Sequence, residues 1–323
     1  MNTVSLTRVE RASSFVPLLF TVTIFLSASL LFFVQPLFTK IVLPHIGGTP
    51  AIWTTAMLFF QTVLIAGYLY AHFLTRYVPT GLQVAVHLVF WAAALAFLPL
   101  SIAQGWIYDA EGSAILQTLG LFAVGVGLPF AVLSANAPLI QSWYSRTDGP
   151  SAHDPYFLYG ASNLGSLTAL LAFPLVAEPL FGATRIGLGW AAGFVVLGLF
   201  LLLSGLSALR SRNHEVAPDE TRSAEVAPST TDLLRWAVIA FVPSSLMLAV
   251  TSKMSTDLGS VPLLWVIPLA LFLLTFVLTF THRTWIGERG LTTGAVLGIA
   301  YLTMVFSGLL GPGLGWFEAG AMV

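Results

Sequence analysis

The chain has 323 residues, 57% of them hydrophobic and only 8% charged, with a mean hydropathy of +0.88. A soluble domain carries about 25% charged residues, so a globule of this size could not cover its surface with polar groups, and a polytopic membrane protein is expected. The 13 basic and 14 acidic residues nearly cancel, which excludes a nucleic-acid partner, and the lack of cysteine excludes disulfides, thiolate metal sites and Cys nucleophiles.

Windows of roughly 20 apolar residues, enough to cross the hydrocarbon core, predict nine spans: 15–39, 51–74, 82–102, 114–140, 156–181, 184–209, 233–250, 261–281 and 291–310. The expected fold is an all-α transmembrane bundle of about nine helices. Pro129, Pro174, Pro243 and Pro268 fall inside spans, which bilayers tolerate where neighbouring groups re-satisfy the freed backbone. The first span follows Arg8 and Arg11 but ends in Gln35-Pro36 without a small-x-small cleavage site, so an uncleaved helix is expected. The stretch 210–232 is rich in Glu, Arg, Ser and Pro, which predicts a flexible linker. It divides a six-helix half (1–209) from a three-helix part (233–323).

Basic residues set the orientation. With the N-terminus inside, Arg8, Arg11, Arg76, Arg146, Arg210, Arg212, Arg222, Arg235, Arg283 and Arg289 are cytoplasmic, and only Lys40, Arg185 and Lys253 lie outside. The linker is then cytoplasmic, and an odd span count leaves 311–323 outside or re-entering the membrane.

A weak internal repeat follows the linker. Lys40, Trp53 and His72 at spacings of 13 and 19 are echoed by Lys253, Trp265 and His282 at spacings of 12 and 17. The offset is six helices, so the copies would run in the same direction, as in the parallel halves of major-facilitator transporters. The plainer reading is that Trp and Lys recur at membrane interfaces generally.

Several strings are more specific. Gln35-Pro36, Gly47-Gly48-Thr49-Pro50-Ala51-Ile52-Trp53, Phe59-Phe60-Gln61, Tyr70-Ala71-His72, Asn136-Ala137-Pro138-Leu139, Ala161-Ser162-Asn163-Leu164-Gly165-Ser166, Pro243-Ser244-Ser245, Thr256-Asp257 and Val261-Pro262-Leu263-Leu264-Trp265 are carried in order. Together they resemble the membrane region of bacterial fused major-facilitator/spermidine-synthase-like proteins, from Gln35 to about Thr281. The resemblance implies a transporter-like, 6 + 3 arrangement whose second half is incomplete, and a cytoplasmic domain similar to polyamine aminopropyltransferases elsewhere. That domain and its Gly-Gly-Gly-Asp-Gly nucleotide-binding turn have no counterpart in this chain, so it is expected not to be an enzyme by itself. The basic Gly-x-x-x-Asp loop usual after the second major-facilitator helix is also missing; residues 76–83 supply one Arg.

Polar groups inside spans are costly, by roughly 2.5–3.5 kcal/mol for a charge at the helix centre. Gln61, Asn136 and Asn163 are the candidates for a substrate path; the alternative for each is an interhelical hydrogen bond. Lys40, Glu178, Lys253 and Asp257 are candidates for an outer vestibule attractive to a polyamine cation, or else ordinary interfacial anchors. His87 alone among six scattered histidines lies well inside a span, as a hydrogen-bonded packing residue or a proton relay. No metal motif and no cofactor site is expected.

Three functions stay open. One is a transporter-like domain for a small, polyamine-like cation in the bacterial inner membrane. The second is a membrane anchor for a separate aminopropyltransferase-like partner. The third is a piece of a longer protein.

Overall fold

A computed structural model describes residues 3–47, 50–102, 105–109, 111–152, 154–211, 229–257, 262–279 and 287–306. The side chains of 3–14, 50, 254–257, 262–265, 279, 288, 302 and 305–306 are not described. Most of the expected linker (212–228), the tail at 311–323, His282 and the Asp257 side chain therefore lie outside the described residues.

Those residues form an all-α fold without a strand: α1 (Thr3–Ile46), α2 (Pro50–Tyr77), α3 (Thr80–Ala94), α4 (Ala114–Phe122), α5 (Leu128–Tyr144), α6 (Tyr156–Ala172), α7 (Glu178–Leu180), α8 (Ala183–Arg210), α9 (Thr230–Asp257), α10 (Pro262–Thr279) and α11 (Glu288–Phe306). Each of the nine expected spans falls on a helix or a joined helix pair. Seven are long and apolar enough to cross a bilayer, from Phe15–Ile46 to Thr230–Lys253, and α10 carries a shorter apolar stretch, Val266–Leu278. The chain is a multi-pass integral membrane protein.

Three departures from a plain nine-span reading have physical causes. The third helix is shorter than the expected 82–102: after a single turn at Leu95–Phe97 the chain is extended at Leu98 (φ −101°, ψ 146°). Pro99 follows, and a residue before proline is pushed out of the helical region. The fourth and fifth spans are each interrupted by a wide π turn, Ala123–Gly127 and Phe173–Ala177. Pro129 and Pro174 lie at these turns, where a proline lacks an N–H and its ring crowds the carbonyl one turn back; one wide turn relieves both problems without ending the helix. The first helix, conversely, runs past Thr39 through Pro44 and ends only at Gly47. There φ is +85° and the Gly47 N–H bonds Leu43 O at 2.8 Å, a glycine cap in the left-handed region.

The described residues divide into two units, 1–223 and 224–323. In the first, α1 packs along α6 and α8 and crosses α5; α2 lies on α5 and α4, and α3 on α8 and α5. Phe38, Phe59, Phe60, Phe122 and Phe130 fill the space among α1, α2, α4 and α5 as a ring cluster with centroids 4.7–5.5 Å apart. Trp91, Phe194 and Trp190 stack between α3 and α8. In the second unit α9 packs on α10, and Val250, Thr251, Val266 and Leu273 of these helices are buried. Most of α9, including Trp236 and Phe241, is exposed apolar surface, as suits a helix bathed in lipid.

Helices α1 and α6 meet backbone to backbone at a glycine. A Cβ added at Gly165 would stand 2.4 Å from the Phe25 carbonyl oxygen of α1, whereas one at Gly189 would meet nothing within 4 Å. Gly165→Ala should therefore force α1 and α6 apart and destabilise the unit by about 1–3 kcal/mol. Gly189→Ala should be neutral or stabilising by up to about 1 kcal/mol through helix propensity. Thermal unfolding of the two variants in detergent, followed by circular dichroism, checks the contrast.

Candidate functional site

Helix α3 is apolar except for one stripe. Thr80, Gln83 and His87 recur at the i, i+3, i+7 spacing of a single helix face, and all three are buried. That face meets α5 and α2. At its start, Arg146 donates to the Thr80 hydroxyl and to Thr75 O (3.4 Å), tying the end of α5 to the α2–α3 turn. One turn on, Gln83 Nε2 donates to Val78 O (2.7 Å) and Gln83 Oε1 accepts from Trp143 Nε1 (3.1 Å). A further turn on, His87 Nε2 stands 2.6 Å from Asn136 Oδ1, and Asn136 Nδ2 donates to Ser27 Oγ at 2.8 Å.

The Ser27–Asn136–His87 cluster joins α1, α5 and α3. Asn136 and His87 are fully buried and Ser27 is 2% exposed. Asn136 lies eight residues before Tyr144 and His87 seven after Thr80, which puts the cluster about 11 Å inside the unit from its Arg146 end at 1.5 Å per residue. Tyr70, Phe90 and Trp143 surround the imidazole, with ring centroids 6.0, 6.4 and 6.1 Å from it. Every side chain identified here against His87 is uncharged.

Of the expected path residues, the structure brings only Asn136 to this cluster. Gln61 lies on the exposed face of α2. Asn163 is half-buried, and its amide donates to Tyr159 O at 2.9 Å, one turn back on its own helix. Among the expected vestibule residues, Lys40 and Glu178 meet in an ion pair of 2.7 Å between α1 and α7, each about one-third exposed. Lys253 is half-buried on α9 in the second unit; its proposed pairing with Asp257 falls on an undescribed side chain. A cleft of about 250 Å3 opens elsewhere, among Ser101, Trp106, Gln117 and Gly125, and none of the candidate residues lines it.

Sequence reading gave no site role to Ser27, Tyr70, Gln83 or Arg146. For Gln83 a signal existed in its spacing from Thr80 and His87. For Ser27 and Tyr70 none did, because their importance depends on which helices meet. Compared with protein-family models, curated proteins and solved structures, the chain matches none.

Removing the Asn136 amide strands two buried groups at once, the His87 Nε2–H and the Ser27 hydroxyl. Asn136→Ala should cost about 1–3 kcal/mol, the penalty of buried polar groups without partners. Ser27→Ala, which leaves the His87–Asn136 bond intact, should cost about 0.6 kcal/mol, the typical worth of an interhelical hydrogen bond in a membrane. Unfolding midpoints in detergent order the two variants.

Proposed function

We propose that the six-helix unit binds or moves a small polar solute past Asn136, and that a polyamine cation is the solute to test first. The observation that carries this reading is the Ser27–Asn136–His87 cluster. Hydrogen-bonding side chains buried inside spans are costly, face the bundle interior and mark solute paths in membrane proteins. Here three helices each contribute one such group at a single depth. The polyamine rests on the resemblance to the membrane region of fused spermidine-synthase-like proteins. In this reading the site lies in a bacterial inner membrane, with the Arg146 end of the unit on the cytoplasmic side and the Lys40–Glu178 pair on the outer side.

One feature favours the second reading, a membrane anchor for a separate aminopropyltransferase-like partner. The groups found around His87 are neutral, and Glu178 already holds Lys40, so neither place offers a free counter-charge to a cation. The anchor reading needs none.

Uptake of radiolabelled putrescine and spermidine into proteoliposomes separates the two. Transport predicts uptake above that of empty liposomes. Per folded protein, Asn136→Ala should lower it about tenfold, equivalent to one lost hydrogen bond of about 1.4 kcal/mol. Gln61→Ala, on the exposed face, should stay within about twofold of the parent, since surface substitutions are nearly neutral. Parent uptake no greater than in empty liposomes removes the transport reading and leaves the anchor.

A further inference from the structure

Two buried polar atoms of the first unit have no hydrogen-bond partner among the described residues, Tyr70 Oη and His87 Nδ1. They belong to adjacent rings, with centroids 6.0 Å apart and planes inclined by 33°. Buried polar atoms left unmatched are rare in folded proteins, and each calls for an occupant.

The hydrogen bonds on the other side of the imidazole dictate what that occupant must be. Asn136 Nδ2 donates to Ser27 Oγ, which leaves Asn136 Oδ1 as an acceptor, so the 2.6 Å contact carries its proton on His87 Nε2. A neutral imidazole protonated at Nε2 presents a bare lone pair at Nδ1. The Tyr70 hydroxyl can donate or accept. Trp143, the other polar ring beside His87, has its N–H committed to Gln83, and Phe90 has none to offer.

We infer that Tyr70 and His87 bracket a ligand subsite, which takes a small group that donates a hydrogen bond to His87 Nδ1 and shares one, given or received, with Tyr70 Oη. A water molecule has this chemistry, and so does the hydroxyl or neutral amine end of a solute. An ammonium group donates both to the Nδ1 lone pair and to Tyr70 Oη, which then accepts, and is also compatible with the aromatic faces of Tyr70, Phe90 and Trp143. A carboxylate is rejected, because a pure acceptor would face the lone pair. The solute arm rests on the transport reading; the water arm does not.

The test uses the full chain in lipid nanodiscs with 15N-labelled imidazoles, the His87 signals being assigned by their loss in His87→Gln. The expected spectrum has a protonated Nε2 and an unprotonated Nδ1, the latter shifted upfield by a hydrogen bond from a proton other than the Tyr70 hydroxyl. Tyr70→Phe keeps the ring and removes one side of the subsite. It should move the Nδ1 signal toward its bare position and leave Nε2 in place. A bare Nδ1 in the parent protein, an Nδ1 bonded directly to the Tyr70 hydroxyl, or a proton on Nδ1 with Nε2 bare would each overturn the inference. Putrescine and acetate then identify the occupant. Loss of magnetisation transfer from water to Nδ1 on adding putrescine alone assigns the site to an amine solute, and unchanged transfer assigns it to water. Displacement by acetate overturns the stated chemistry. A failed uptake assay alongside the expected spectrum would remove transport and leave the subsite standing.

Discussion

The governing constraint is that a polar atom carried into a bilayer must find its partner inside the protein, because hydrocarbon offers none. Much of the local architecture answers it. Thr21, Thr23, Ser29, Thr39, Thr55, Thr118 and Ser134 each turn their hydroxyl back onto the carbonyl four residues earlier, at 2.7–2.8 Å. These bonds satisfy the side chain without specifying a neighbour. The indoles solve the same problem across helices: Trp190 donates to Leu30 O and Trp91 to Phe194 O. Other bonds, found among the described residues, join side chains of two different elements, and these select partners. They include Thr23 with Ser204, Lys40 with Glu178, Trp143 with Gln83, Arg146 with Thr80, and the Ser27–Asn136–His87 chain.

Those bonds require helices to come close, and small residues make that possible. A Cβ at Gly67 would lie 2.5 Å from Ser134 of α5, and one at Gly205 would lie 2.5 Å from Val84 of α3. Lipid tails are as apolar as leucine, so helix association in a membrane depends on packing and hydrogen bonds rather than on expelling water. Small residues and polar pairs therefore act together. Gly165 lets α6 approach α1 closely enough for Ser29 Oγ to reach Gly165 O at 3.1 Å, a contact that a larger residue at 165 would disrupt. The aromatic cluster around Phe122 fills the volume where α2, α4 and α5 diverge from α1.

The membrane helices were legible because their signal is one-dimensional. Twenty apolar residues between charged or turn residues mark a span whatever surrounds it. Asn136 was legible for a similar reason, as an amide in an apolar run. Its partners were not. Ser27 and Tyr70 look ordinary within their own helices, and whether an amide lines a path or bonds its own backbone, as Asn163 does, depends on packing that spacing does not encode. The π turns add a second obstacle. One extra residue in a turn rotates everything beyond it by about 100° relative to a regular helix. A helical wheel drawn straight through 114–140 therefore loses the relation between Phe122 and Asn136 at Ala123–Gly127. Pro129 marks the place of that change, but not its size.

The same π turn bears on how the cluster is built. It lies between the N-terminal part of the fourth span, which packs Phe122 against Phe38, and the C-terminal part, which carries Asn136 to His87. The two parts can thus be oriented separately, one for apolar packing on α1 and α2 and the other for hydrogen bonding to α1 and α3. π turns recur at functional positions in helices, and here the turn is adjacent to the segment holding the polar cluster. The cluster is also directional. Donation runs from His87 to Asn136 to Ser27, so the donor character is used up toward α1 and the Nδ1 acceptor is left without a partner on a ring beside Tyr70 of α2. A neutral chain of this kind can select for hydrogen-bond donors without the large solvation cost of a fixed buried charge. Under the proposed transport reading, weak and directional binding suits a small solute better than a buried ion would, and that reading would make Asn136 more than a packing amide.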